Sequence, residues 1–129
     1  MIKTEDLILR VGSFQLGPVA LMVNPGEYFV LLGPPGCGKS LLLESVCGLK
    51  RISAGRVWLG GVDATKLEPR ERMISYVPQD YALFPHMSVS ENIAFGLKAR
   101  RLSKRERAQL VGQTAEMLKI SHLLGRRTE

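Results

Sequence analysis

Gly33-Pro34-Pro35-Gly36-Cys37-Gly38-Lys39-Ser40 is the stretch that decides how this chain is read. It fits G-x-x-x-x-G-K-[ST], a glycine-rich turn that cradles phosphate groups. The five residues before it, 28–32, read Tyr-Phe-Val-Leu-Leu, a continuous apolar run of strand length. Such a run suits a parallel strand covered on both faces, and residues 40–49 after the turn have helical composition. The strand-turn-helix context that the motif requires is therefore expected here.

A polyphosphate needs many N–H donors converging on it. Gly33, Gly36 and Gly38 let the backbone adopt positive φ and come close to a ligand, and the following helix adds the partial positive charge of its N-terminus. Gly33, Pro34, Pro35, Gly36, Cys37, Gly38, Lys39 and Ser40 are thus the candidate nucleotide-binding residues. Lys39 supplies a full positive charge to the β and γ phosphates, and the Ser40 hydroxyl is placed to bind Mg²⁺.

Working outward, 129 residues with a net charge of +6 allow one domain at most. No apolar run reaches the about 18 residues of a membrane span. The first ten residues carry Glu5 and Asp6 where a secretion signal would be basic and then apolar. The expected location is cytoplasmic. Cys37 and Cys47 lie too far apart along a turn and helix to pair, so both read as reduced thiols. Residues 1–97 hold nine basic and nine acidic side chains, whereas residues 98–129 hold nine and three. That basic excess reads as the solvated face of amphipathic helices, since the run from Lys98 to Arg107 has no interleaved aromatics for stacking on bases.

Before the glycine-rich turn, residues 7–11 and 19–23 are expected as two short antiparallel strands joined through residues 12–18. Phe14, in that connection, is the aromatic available to stack on an adenine ring. After the first helix, residues 56–59 and 62–64 flank Gly60-Gly61 and predict a hairpin. Pro69 is placed for the first position of a short helical turn. Residues 73–77 read as a second buried strand that ends at Pro78-Gln79-Asp80, where ligands gather in open α/β sheets. Gln79 then has an amide able to ligand Mg²⁺ or orient a water. Ser88-Val89-Ser90-Glu91 and Ser103-Lys104-Arg105-Glu106 are both capping boxes that open helices. His86 and His122 are distant and lack Cys or acidic partners, which makes no metal site.

Three blocks, residues 33–40, 77–85 (Val-Pro-Gln-Asp-Tyr-Ala-Leu-Phe-Pro) and 88–97 (Ser-Val-Ser-Glu-Asn-Ile-Ala-Phe-Gly-Leu), together resemble the ATP-binding subunit of ABC transporters in motif, order and separation. The likeness covers essentially the whole chain. It looks closest to import-type subunits that serve molybdate, tungstate and sulfate, or sugars and polyamines. The resemblance implies an α/β P-loop NTPase of the ABC type, with a small antiparallel element, a P-loop strand and helix of a parallel sheet, and the start of a helical subdomain. Residues 1–80 would form the first two parts and 81–129 the last.

It further implies that Lys39 and Gln79 are the catalytic residues present. Gln79 would touch the metal and the attacking water, and its loop would meet a membrane permease. ATP and Mg²⁺ are the implied cofactors, a homodimer of the complete domain the implied working unit, and the inner face of the cell membrane the implied peripheral location. Neither nucleic acid binding nor direct membrane insertion is expected. The family's adenine-stacking aromatic falls near Arg10 or Val11, so Phe14 is a displaced substitute. Its Leu-Ser-Gly-Gly-Gln signature, Walker B aspartate, catalytic glutamate and switch histidine find no match in these residues, and this chain is expected to bind nucleotide with little turnover. Two alternatives stand beside this reading: a non-catalytic nucleotide- or partner-binding module, and an AAA-type ATPase, whose loop Gly-Pro-Pro-Gly-x-Gly-Lys is similar.

Overall fold

A computed structural model of the chain describes residues 1–99 and 102–128. Within the basic run from Lys98 to Arg107, residues 100 and 101 lie outside the described part, as does the last residue of the 81–129 segment. The chain divides into two compact units, Met1–Tyr76 and the residues from Val77 onward.

The first unit is built on a four-stranded antiparallel sheet in the order β2-β1-β3-β4, with β1 Ile2–Val11, β2 Phe14–Val23, β3 Ala54–Leu59 and β4 Val62–Asp63. Both early strands are longer than the sequence pattern suggests. The connection expected over residues 12–18 shrinks to a turn at Gly12 and Ser13, because Val11 pairs with Phe14 across it. Phe14 therefore begins a strand instead of lying in a loop. The Gly60-Gly61 hairpin is present, with φ of 58° and 87° at the two glycines, the pair of left-handed conformations a tight two-residue turn demands.

A bulge decides which face of β1 is buried. Strict alternation would put Thr4 and Leu7 on opposite faces, yet both are buried, and the pairing with β2 shifts between them. Asp6, with φ of 46°, absorbs the extra residue. The inward Thr4 hydroxyl donates to the Val19 carbonyl at 3.0 Å and accepts from the Leu21 amide at 3.2 Å, closing the gap in the ladder. Opposite, Gly55 sits so close to the Glu5 and Asp6 carbonyls that no β-carbon fits.

The helix α1, Lys39–Val46, lays Leu42 against Leu7 and Val57, and Leu16, Val19, Leu21, Leu31, Ile52 and Leu59 pack around these three. This core fastens the glycine-rich turn to the sheet. The far end of α1 is held by Arg72, a residue only 7% exposed. It donates to the Ser45 and Val46 carbonyls at 2.9 and 2.8 Å, and to that of Leu67 at 3.0 Å. The Ser45 and Val46 carbonyls are among those that a helix end leaves without intrahelical partners. Gly48, at φ 80°, leaves room for it, since a β-carbon there would stand 2.5 Å from Arg72 Nε.

Two expected strands are not found. Residues 28–32 and 73–77 form no regular element and join no sheet, and Met73 has a φ of 51°, outside the range of regular strand backbone. Tyr28 is 92% and Met73 93% exposed. The cause is physical: a strand needs at least one hydrogen-bonding neighbour, and no described residue pairs with either segment. The apolar composition marks surface suited to burial, and burial needs a partner.

The second unit contains α2, Val89–Phe95, and α3, Lys104–Met117. Both open on the expected capping boxes. Ser88 accepts from the Glu91 amide while Glu91 accepts from the Ser88 amide, and Ser103 and Glu106 do the same. Those bonds hold both glutamate pKa values below the ordinary range. Asn92 reaches back from α2 to the Phe84 backbone, accepting from its amide at 2.9 Å and donating to its carbonyl at 3.1 Å. Phe84 in turn packs on Phe95 at 4.3 Å between ring centroids. Val111 and Ala115 are the buried positions of α3.

Candidate functional site

The glycine-rich turn leads from residues 28–32, which join no sheet, into α1. Its conformation depends on two glycines with positive φ, Gly36 at 79° and Gly38 at 97°. A β-carbon on Gly36 would meet nothing within 4 Å, so the turn faces open space. Gly38 is the N-cap of α1 and takes a left-handed conformation with no side-chain cap. The amides of Gly36 and Gly38 find no acceptor among the described residues, and those opening α1 add further unbonded donors. They form a concave set of donors at a helix N-terminus, suited to an anion.

Lys39 folds back over this turn. Its Nζ donates to the Gly33 carbonyl at 2.7 Å and to the Pro34 carbonyl at 2.8 Å, with Cys37 Sγ at 3.7 Å. The ammonium thus bridges the mouth of the loop through bonds that phosphate oxygens can replace. The Cys37 side chain is exposed. A β-carbon on Gly33 would lie 2.8 Å from its sulfur, so a side chain there would displace the exposed Cys37 thiol. Ser40 is exposed on the first turn of α1.

Phe14 comes to this turn. A β-carbon on Gly38 would lie 3.4 Å from the Phe14 ring and 2.9 Å from Leu16, so the start of β2 supports the loop from beneath. Phe14 remains 38% exposed, leaving part of its ring available. The pairing of Val11 with Phe14 carries the aromatic there, a register that the sequence does not reveal.

Gln79 belongs to the second unit, in the turn in which the Tyr81 amide donates to the Pro78 carbonyl at 3.2 Å. It is exposed. The two residues following Asp80 are both left-handed, Tyr81 at φ 62° and Ala82 at φ 46°. Consecutive non-glycine residues in that region store local backbone strain. Among the described residues no cluster of three or more His, Cys, Asp or Glu side chains could hold a metal. Cys37 and Cys47 are both free, and burial pushes the Cys47 thiol above its ordinary pKa. No described helix is long and apolar enough to cross a membrane.

Arg72 is the residue that motif reading passed over. Its signal was available as Gly48, a glycine just beyond a short helix, with an arginine downstream, but which arginine reaches a helix end depends on how the chain folds back.

Most of this chain matches parts of known proteins. The chain is 46% identical over 127 residues to a molybdate/tungstate import ATP-binding protein of Pyrococcus horikoshii, covering 98% of this chain and 37% of that protein. It is 47% identical over 110 residues to an sn-glycerol-3-phosphate import ATP-binding protein of Escherichia coli, covering 85% and 31%. The chain therefore spans about a third of the length of these relatives. Among solved structures, the ATP-binding cassette MJ1267 of an ABC transporter superposes with a TM-score of 0.81 at 27% identity over 98% of this chain and 57% of its own. The dimeric cassette MJ0796, in a post-hydrolysis state with ADP and phosphate, superposes with a TM-score of 0.84 over 99% and 62%, and its 22% identity makes it a match of fold. The AAA-type alternative falls with these matches. The family model described as ABC transporter matches residues 16–129, and the chain belongs to the ABC transporter family.

Proposed function

We propose that this chain is the nucleotide-binding part of an import ATP-binding subunit, which couples ATP binding and hydrolysis to solute uptake through a membrane permease. The observation that carries the reading is the turn at residues 33–40, where unbonded amides at Gly36 and Gly38 stand beside the Lys39 ammonium, itself held only by two backbone carbonyls of the same turn. The donor set fits the β and γ phosphates of ATP, with Lys39 exchanging its two carbonyl partners for phosphate oxygens. Ser40 would hold Mg²⁺, which when bound neutralises charge on the phosphates. Phe14, resting against Gly38, is the proposed stacking surface for adenine.

Gln79 is proposed as the residue that orients a water toward the metal and, through its strained loop, reports nucleotide state to the permease. Dimerisation of the complete domain and peripheral attachment at the inner membrane face belong to the same reading. Relatives of two cargo classes match almost equally well, as befits a subunit whose own residues do not touch the cargo.

Titration calorimetry with ATP and Mg²⁺ tests the assignment. Replacing Lys39→Ala removes a charge-assisted contact and should weaken binding by about 10–100-fold. Gln79→Ala should leave affinity nearly unchanged, because it acts on the metal and water. Equal ATP affinity for the Lys39→Ala variant and the parent would overturn the reading.

A further inference from the structure

At the opposite end of α1 from the nucleotide turn lies a second cavity of about 440 Å³. The eight residues of the helix separate the two by about 12 Å. Four basic residues line it, Lys50, Arg51, Lys66 and Arg72, against one acidic residue, Glu68. A helix C-terminus would ordinarily repel an anion through its partial negative charge. Here Arg72 cancels that effect: its buried guanidinium spends its bonds on the Ser45, Val46, Leu67 and Thr65 carbonyls, all neutral, and has no carboxylate partner. Its positive charge at the base of the cavity is therefore met by neutral carbonyls and offset only through space by Glu68, the one carboxylate in the lining. Gly48, with no space for a side chain beside Arg72, keeps that base in place.

Around this fixed charge stand Lys50, Arg51 and Lys66, all exposed, none of them in an ion pair among the described residues. Lysine ammonium groups suit a phosphate as adaptable point charges, and an arginine fork adds paired donors. The volume lies within the range of small-molecule sites. We infer that this cavity is a second anion site, built on Arg72 and gated by Lys50, Arg51 and Lys66, for a small phosphate-bearing ligand distinct from the nucleotide in the turn at residues 33–40. The basic residues here lie outside the basic run after residue 97, so the two features have separate origins.

Lysine footprinting of the unaltered chain tests the inference with inorganic pyrophosphate as the probe. Acetylation rates are read at each lysine by mass spectrometry across a probe titration at constant ionic strength. The expected result is saturable slowing, by about tenfold, at Lys50 and Lys66. Lys104 and Lys119 should be unaffected, and Lys39 reports occupancy of the nucleotide turn independently. Arg51→Gln, an exposed substitution, should shift the midpoint at Lys50 and Lys66 to about tenfold higher probe concentration while leaving that at Lys39 in place. Protection at Lys39 alone, or equal slowing at every lysine, would overturn the second site.

Discussion

At the scale of single residues, two glycines show how close approach and backbone sign combine. Gly55 has φ of 87° and faces the Glu5 and Asp6 carbonyls at the bulge of β1, with no space for a β-carbon. Gly12 has a comparable φ of 57° but open space around it. A Gly12→Ala change should therefore cost only the left-handed penalty, about 1 kcal/mol. Gly55→Ala should cost about 2–3 kcal/mol, because strand β3 must also withdraw from β1. Urea unfolding read by Trp58 fluorescence measures both, since Trp58 is half-buried on β3 and donates to Glu5 at 3.1 Å. Equal midpoints for the two variants would mean that the bulge yields to the methyl group.

At the scale of elements, local chemistry and distant partners separate cleanly. The capping boxes at Ser88 and Ser103 and the Gly60-Gly61 hairpin were legible because the residues they pair lie within five of each other. The glycine-rich turn was legible for the same reason, and Lys39 closes on carbonyls only five and six residues away. The apolar runs at residues 28–32 and 73–77 do not by themselves decide a strand, because a buried strand depends on a neighbour that composition cannot supply. Arg72 was missed because its partners at Ser45 and Val46 lie 27 and 26 residues earlier.

The capping glutamates also carry a pH prediction. Glu91 and Glu106 both have folded pKa values lowered from the ordinary 4.5, chiefly by hydrogen bonds from Ser88 and Ser103. A lowered folded pKa means that the charged form is the one stabilised. The contribution is therefore fully present above pH 4.5 and is lost as pH falls through the lower folded values. Far-ultraviolet circular dichroism should show helix loss in this acid range, and Glu91→Gln with Glu106→Gln should flatten that part of the profile. An unchanged acid transition in the double variant would assign the loss to other carboxylates.

At the scale of the whole molecule, the first unit combines a well-formed sheet with an unfinished face. Tyr28 and Leu32 are 92% and 86% exposed on a segment that joins no sheet. Beside them a largely apolar groove of about 650 Å³ runs along residues 28–31 and the flank of α1, including Leu42, Leu43 and Val46. Exposed apolar surface next to unpaired backbone invites association in water, since a second chain can both cover the surface and supply hydrogen bonds. Sedimentation velocity at concentrations on the order of 10 µM should therefore show species larger than the monomer. The argument is specific about where the contact lies. Leu32→Lys with Tyr28→Lys places charge on the exposed segment while leaving Leu7, Leu42 and Val57 of the core untouched, and should return the chain toward a monomer. If the parent sediments as a monomer at that concentration, or the double variant associates as strongly as the parent, the open face of the first unit is not what joins the chains.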